Sequence, residues 1–166
     1  MNDNTLLPRT PTSLGSWALL IDKTIESYGL NSQQFFLDAG IDLNAIKKSN
    51  SRVPAAQMIK VWRQAVMKIQ DPYIALRVAR FCQPSALSAL GMAMAASRHV
   101  YDALHRAARY SQIINDSSHC AIEENDTTAA FTVIARAPLT APALANIYGL
   151  ESMLSSLFNV LQTIAG

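Results

Sequence analysis

Apolar residues recur at steps of three and four along much of the chain, a spacing typical of amphipathic helices. The first such stripe predicts a helix that Ser13 caps and that Gly29 ends. Its apolar members are Leu14, Trp17, Ala18, Ile21, Ile25 and Tyr28. A short helix is predicted from Asn31 to Gly40, and Asp42 is the predicted cap of a further brief turn.

Proline residues mark the beginnings of the next two helices. Pro54 suits a first helical position and predicts a helix over residues 54–69. The apolar stripe of this helix consists of Met58, Trp62, Ala65, Val66 and Ile69. Asp71-Pro72 likewise combines a capping residue with a proline and predicts the start of another helix, which Pro84 ends. Because both helices carry an apolar stripe, we expect them to face one core, with Trp62 largely buried.

The next segment, residues 86–96, has apolar or small side chains on every side. It is too short to span a bilayer, so it is predicted to be a core helix. A half-exposed helix is predicted from about Val100 to Asn115.

The periodicity changes in the segments on either side of Asp126. Phe131 and Val133 alternate with more polar neighbours, which predicts a β-hairpin. A long helix follows Pro142, and its predicted inward residues are Ile147, Leu150, Leu154, Leu157, Leu161 and Ile164, with Met153 and Phe158 beside them. The predicted fold class is α+β: a mostly helical domain with a small antiparallel β-hairpin or sheet near its C-terminal part.

The composition predicts one globular domain, since 50% of the 166 residues are hydrophobic and 16% are charged. We assign residues 1–13 to a flexible N-terminal tail and residues 14–166 to the domain. The tail lacks the basic start and apolar run of a secretory signal, so the expected location is the cytoplasm. Cys82 and Cys120 are too few for a disulfide framework or a four-thiolate zinc site.

Basic residues are concentrated in residues 42–80, which hold eight Lys or Arg and two acidic residues. Such a surplus is typical of surfaces that bind nucleic acid. Several of these residues share a helix with the stripe that contains Trp62, which favours a solvated outer face instead. The segment around Gly40 resembles a helix-turn-helix, but Phe36 is too bulky for the close helix crossing of that motif. Direct DNA binding is therefore the less favoured alternative.

No arrangement of residues predicts catalysis. His99 and His105 lie about 120° apart on a helical wheel, and His119 begins a strand, so the three do not converge on one ion. Glu123 and Glu124 are neighbours on a strand and face opposite sides, which makes them a poor acid–base pair. We therefore expect no enzyme activity, no metal site and no cofactor.

Five segments, taken in order, resemble the N-terminal effector domain of AraC-type transcription regulators of the arabinose-binding type. They are Ala39-Gly40-Ile41, Arg52-Val53-Pro54 with Trp62, Asp71-Pro72 with IALRVA, LSALGMAMAAS, and YDALHRAARYSQIINDSS. The chain departs from the family pattern at His99, where a threonine usually caps the helix, and at Ile74-Ala75, where a glycine often stands. The resemblance covers nearly all of the chain from Leu14 to Ile164.

The resemblance implies a cytoplasmic bacterial regulator in which this domain senses an unknown small-molecule effector and contributes to a homodimer. It also implies that promoter DNA is bound only by a separate C-terminal helix-turn-helix domain, absent from residues 14–166. Because the family's domain usually continues past the long helix, the chain is expected to be a piece of a longer protein. A protein-interaction domain without a small ligand is the alternative.

The family has no fixed ligand-contacting motif, so ligand residues are predicted from the pattern alone. Helix 86–96 and the last helix carry the fewest charges, and methionine side chains adapt to irregular apolar cavities. The predicted lining of a ligand cavity consists of Met92, Met94, Phe131, Met153 and Phe158. The last helix is apolar on more than one side, so a second copy is expected to cover one face, and no membrane contact is expected.

Overall fold

The computed structural model describes residues 10–48, 51–136 and 143–165. Their helices are α1 (Gly15–Glu26), α2 (Ser32–Asp38), α3 (Leu43–Lys48), α4 (Ala55–Ile69), α5 (Ile74–Arg77), α6 (Ser88–Ala95), α7 (Val100–Tyr110) and α8 (Ala143–Ala165). Short 3₁₀ turns span Val78–Phe81, Pro84–Leu87 and Ser111–Ile113. The strands are β1 (Thr12–Leu14), β2 (Arg52–Pro54), β3 (Ser118–Glu124) and β4 (Ala129–Ala135). The predicted α+β class, mostly helical with a small antiparallel hairpin, is confirmed.

Local capping signals predicted α2 and α3, whereas Pro54, predicted to be a first helical position, lies in β2, and α4 begins at Ala55. Asn31 Oδ1 accepts a hydrogen bond from the backbone N–H of Gln33 at 3.2 Å, which caps α2 at the residue where the sequence predicts this helix to begin. Asp42 Oδ1 accepts from the N–H of Asn44 at 2.8 Å in the first turn of α3. Gly40 has a φ of +78°, a left-handed conformation that favours glycine after α2.

The prediction that Ser13 caps α1 is wrong. Ser13 instead lies in β1, where it pairs antiparallel with Val53 of β2, so the chain stays extended and α1 begins only at Gly15. A Cβ added to Gly15 would lie 2.8 Å from the backbone oxygen of Ser51, so this junction requires glycine. Since β1 begins at Thr12, it also overlaps the predicted tail; residues 1–9 of that tail lie outside the described residues.

The predicted hairpin is confirmed as β3 and β4, which pair antiparallel with Ile122 opposite Phe131. An isolated two-stranded hairpin is marginal in water. Here one face is supported, because Phe131 and Val133 pack against the helical core and β3 contacts α7. Asn125 Oδ1 closes the turn by accepting hydrogen bonds from the N–H groups of Thr127 and Thr128.

The core is shared by α1, α4 and α8, with Trp62 of α4 only 2% exposed, as predicted. The predicted inward face of α8 is only partly correct. The buried positions include Ser152, Met153, Ser156, Leu157, Val160 and Leu161. Ile147 and Leu154, predicted to face inward, are 37% and 44% exposed. Small serines on the inner face permit close packing of α8 on α4, α5, α6 and α7, which fixes its rotation.

Candidate functional site

The five residues predicted to line a ligand cavity do not come together around one. Met94 and Met153 are fully buried in the core, whereas Met92 and Phe158 are 58% and 60% exposed. Met92 and Met94 lie about 160° apart around α6, so they cannot face the same space. Phe131 is partly buried against the core. None of the five lines either cavity described below.

A cavity of about 280 Å³ lies between β1, the first half of α4 and the first part of α8; we call it the apolar cavity. Helices supply Trp17, Met58, Ile59, Trp62, Gly149 and Leu150, together with Ala55 and Ala56. The strands and the connections next to them supply Thr10, Pro11, Ser13, Asn115, Ser117 and Ala135. Its volume is near the lower end of the range of about 300–1,000 Å³ typical of small-molecule sites.

Both tryptophans of the chain line the apolar cavity. Trp62 packs beside Tyr148 of α8, with ring centroids 6.2 Å apart and ring planes inclined by 21°. A Cβ added to Gly149 would lie 3.8 Å from Trp62 Nε1, so this glycine leaves the indole edge uncovered. Glycine destabilises a helix interior, and its presence here is consistent with a need for space at the cavity wall.

Three polar groups at the apolar cavity can donate a hydrogen bond and have no acceptor among the described residues. The Ser13 hydroxyl is buried and has no hydrogen-bond partner among the described residues. In the same part of the chain, neither the Trp17 nor the Trp62 indole N–H donates a hydrogen bond. Asn115 Oδ1 already accepts from Ser117, at 3.0 Å from its backbone N–H and 2.7 Å from its hydroxyl. Buried polar groups are normally paired, so the unpartnered Ser13 hydroxyl requires an explanation.

Backbone pairing and one arginine hold Ser13 in the wall of the cavity. Ser13 bridges to Asn115, and the N–H of Leu14 donates to the carbonyl of Ile114 at 2.8 Å. The Arg52 guanidinium donates to the Thr12 carbonyl at 3.0 Å, and it also donates to the carbonyl of Ile113 at 2.7 Å. Arg52, which belongs to the basic run, therefore ties β1 to the segment before β3.

A second cavity, of about 220 Å³, lies between α1, α2 and α3; we call it the polar cavity. Its polar and charged residues include Asp22, Glu26, Ser32, Gln33, Asp42 and Lys47. Asp22 is buried, and the Ser32 hydroxyl donates a hydrogen bond to its Oδ1. Lys47 Nζ lies 3.9 Å from Asp22 Oδ2. The buried carboxylate thus has partners within the chain, which makes this cavity the weaker candidate.

The remaining reactive side chains do not form a second site. His105 Nε2 lies 3.0 Å from Glu124 Oε1 on the surface, and the charge of Glu124 raises the pKa of Tyr101. Burial raises the pKa of the Cys82 and Cys120 thiols, which keeps them protonated and poorly nucleophilic. Across residues 10–48, 51–136 and 143–165 there is no group of three or more His, Cys, Asp or Glu arranged to hold a metal ion.

The apolar stripe of α4 predicts the buried position of Trp62 but not the cavity beside it. Trp17 and Trp62 fall on predicted core stripes, and Ser13 is predicted only to cap a helix. Gly149 was the available signal, since a glycine in the interior of a long helix often marks a close approach or a gap. Within the described residues, no helix has the length and hydropathy required to cross a membrane.

One protein-family model matches residues 29–166, and it describes the N-terminal arabinose-binding domain of AraC transcription regulators. The matched range includes the α4 and α8 walls of the apolar cavity, whereas Ser13 and Trp17 precede it. A comparison with curated proteins found no match.

Proposed function

The chain belongs to the N-terminal arabinose-binding domain family of AraC transcription regulators, and from this premise we propose that the apolar cavity is its effector site. The observation that carries the proposal is the combination of an open, apolar space with the unpartnered Ser13 hydroxyl and two free indole N–H groups. A buried donor without an acceptor destabilises the folded state, and a bound effector that supplies the acceptor removes that penalty. Effector binding therefore stabilises the domain.

A screen by thermal unfolding tests the proposed site. The parent chain and Gly149→Leu are unfolded in the presence of small molecules, with the emission of Trp17 and Trp62 recorded together. The leucine side chain would project into the cavity beside Trp62, so we expect compounds that raise Tm in the parent to have no effect on this variant. Gln162→Leu adds the same side chain to an exposed position of α8 and serves as the control.

Two results contradict the proposal. One is a compound that stabilises the parent and Gly149→Leu equally, which would place its site elsewhere. The other is a set of stabilising compounds that leave the tryptophan emission unchanged. A chain that gains no stability from any compound but associates with a protein would favour the alternative of an interaction domain.

We further propose that α8 contributes to a homodimer. Ile147, Leu154 and Phe158 are exposed and are separated by seven and four positions, which places them on one stripe of the helix. Exposed apolar stripes of this kind are typical of association surfaces. Sedimentation of the parent chain is expected to show a dimer at tens of micromolar, and Phe158→Asp to shift it to monomer. Met67→Asp, at an exposed methionine of α4, is the control.

The proposed role in transcription assigns DNA recognition to a separate C-terminal helix-turn-helix domain of a cytoplasmic regulator. Phe36, in the segment that resembles such a motif, is fully buried in the core, which leaves no room for a close helix crossing there. Lys60, Arg63 and Lys68 lie on the exposed side of α4, consistent with a solvated face. We expect no sequence-selective retardation of duplex DNA by this chain at about 0.15 M salt. Nanomolar, sequence-selective retardation would contradict this assignment.

A further inference from the structure

Given the proposed effector site, we infer that its ligand is a neutral, mainly apolar molecule that carries a carbonyl-type oxygen. The inference rests on the proposed function and specifies the class of effector. It distinguishes such a molecule both from a polyhydroxylated sugar and from a carboxylate.

The wall of the apolar cavity has too few polar partners for a sugar. Each hydroxyl of a sugar both donates and accepts, and a buried hydroxyl without partners is destabilising. Trp62, Met58, Ile59 and Leu150 offer hydrocarbon or aromatic surface. A ligand that covers these side chains favourably must itself be mainly apolar.

The polar groups that remain available can each donate a hydrogen bond. The Ser13 hydroxyl and the indole N–H groups of Trp17 and Trp62 lack acceptors among the described residues. Asn115 Oδ1, an acceptor in the wall, is already occupied by Ser117. The two indole N–H groups can only donate, and the Ser13 hydroxyl can donate as well, so an acceptor oxygen pairs with any of the three. The carbonyl of a ketone, ester, lactone or amide is such an acceptor.

Among the described residues that line the cavity there is no Asp, Glu, Lys, Arg or His. Arg52 lies nearby in β2, but its guanidinium already donates to Thr12 and Ile113 and lies 3.6 Å from Asp116 Oδ2. A carboxylate or ammonium group in the cavity would lose its hydration without gaining a counter-charge. A neutral ligand avoids this penalty.

Binding of four probes to the full chain tests the inference. Cyclohexyl methyl ketone has an apolar ring and a carbonyl, ethylcyclohexane lacks the oxygen, cyclohexanecarboxylate is charged, and L-arabinose is a polyol. Calorimetry and tryptophan emission give the dissociation constants. We expect the ketone to bind at least about tenfold more tightly than the carboxylate and the sugar, and about fivefold more tightly than the hydrocarbon.

Ser13→Ala tests the donor directly. This variant is expected to bind the ketone about fivefold more weakly and to bind the hydrocarbon with unchanged affinity, since only the ketone has an acceptor for this hydroxyl. Ser156→Ala changes a buried serine outside the cavity and is expected to alter neither. A Ser13→Ala variant that binds both probes as the parent does would overturn the assignment of Ser13.

The outcomes separate the two proposals. If L-arabinose or the carboxylate binds most tightly and Gly149→Leu abolishes that binding, the cavity remains the site but the inferred ligand class is wrong. If none of the probes binds, or if Gly149→Leu binds them as the parent does, the apolar cavity is not the site and the inference fails with it.

Discussion

In the polar cavity, the buried carboxylate of Asp22 accepts a hydrogen bond from Ser32 and lies 3.9 Å from Lys47 Nζ. In the apolar cavity, the buried hydroxyl of Ser13 has no partner among the described residues, and Trp62 has no acceptor for its indole N–H. The two cavities are similar in size, at about 220 and 280 Å³, so their volumes do not distinguish them. The difference lies in the hydrogen bonding of their buried polar groups.

This difference separates a structural role from a binding role. A polar group that its own chain satisfies contributes to the stability of the fold, and its removal leaves a partner unpaired. A polar group that the chain leaves unsatisfied destabilises the free protein unless water or a ligand pairs with it. We therefore expect substitutions in the polar cavity to act on stability, and those at the polar groups of the apolar cavity to act on binding.

The largest effect is expected from a substitution of Trp62 in the wall of the apolar cavity. Trp62 is 2% exposed and belongs to the core as well as to the cavity. Trp62→Ala should lower the free energy of unfolding by about 3–5 kcal/mol, because it removes a large buried side chain and leaves a void. Urea unfolding followed by circular dichroism measures the change. A variant as stable as the parent would show that Trp62 does not support the core in solution.

A serine-to-alanine pair compares the two cavities directly. Ser32→Ala should lower the free energy of unfolding by about 1–3 kcal/mol, because Asp22 loses the donor to its buried carboxylate. Ser13→Ala removes an unpaired hydroxyl, so it should change the free energy of unfolding by less than about 0.5 kcal/mol or raise it. The measurement is urea unfolding of both variants without added ligand. Equal losses in the two variants would remove the distinction between the cavities.

Gly149→Ala should stabilise the chain slightly. The added methyl carbon would lie 3.8 Å from Trp62 Nε1, an ordinary contact, and alanine favours a helix interior by about 0.5–1 kcal/mol over glycine. Gly91→Ala is the matched contrast, since its Cβ would lie 1.9 Å from the carbonyl oxygen of Pro84 and should destabilise. Thermal unfolding of both variants provides the test. A lower Tm for Gly149→Ala than for the parent would contradict the presence of free space beside Gly149.

The smallest effect is expected at Asp71, a carboxylate outside both cavities whose oxygens are already hydrogen-bonded within the chain. The Tyr28 hydroxyl donates to Asp71 Oδ2 at 2.6 Å, which holds the pKa of Asp71 below its usual value, with further hydrogen bonds from the Tyr73 N–H and Arg77. The stabilising contribution of the Asp71 carboxylate is therefore present above the usual carboxyl pKa. It is lost as the pH falls through the lowered pKa of Asp71 in the folded chain. Unfolding measured between neutral and acid pH should show a shallower pH dependence in Asp71→Asn. An unchanged profile would contradict this role.

The same contact has an alkaline consequence. Burial, followed by the hydrogen bond to Asp71, raises the pKa of Tyr28 to about 12. Because the folded state favours the neutral phenol, this contribution is present below the usual tyrosine pKa of about 10 and is lost as the pH rises through about 12. A spectroscopic titration of Tyr28→Phe against the parent should show one fewer late-titrating tyrosine.

Most of the helices and the hairpin were predictable from the sequence because neighbours along the chain decide them. Asn31 and Asp42 reach backbone N–H groups only two residues away, so their caps depend on local geometry. Trp62 lies on a stripe whose period already indicates the buried face of α4. The same holds for Phe131, whose alternation with its neighbours indicates the inward side of β4.

Only the tertiary structure decided the rotation of α8 and the position of the apolar cavity. Apolar residues occur on several sides of α8, so periodicity alone cannot choose between Leu154 and Met153 as the buried position. The choice follows from packing against distant segments, including the hydrogen bond from Asn159 Nδ2 to the carbonyl of Cys82 at 3.1 Å. Ser13 likewise lies in the cavity wall because β1 pairs with a strand about forty residues away, and such long-range pairing leaves no local signal in a single sequence.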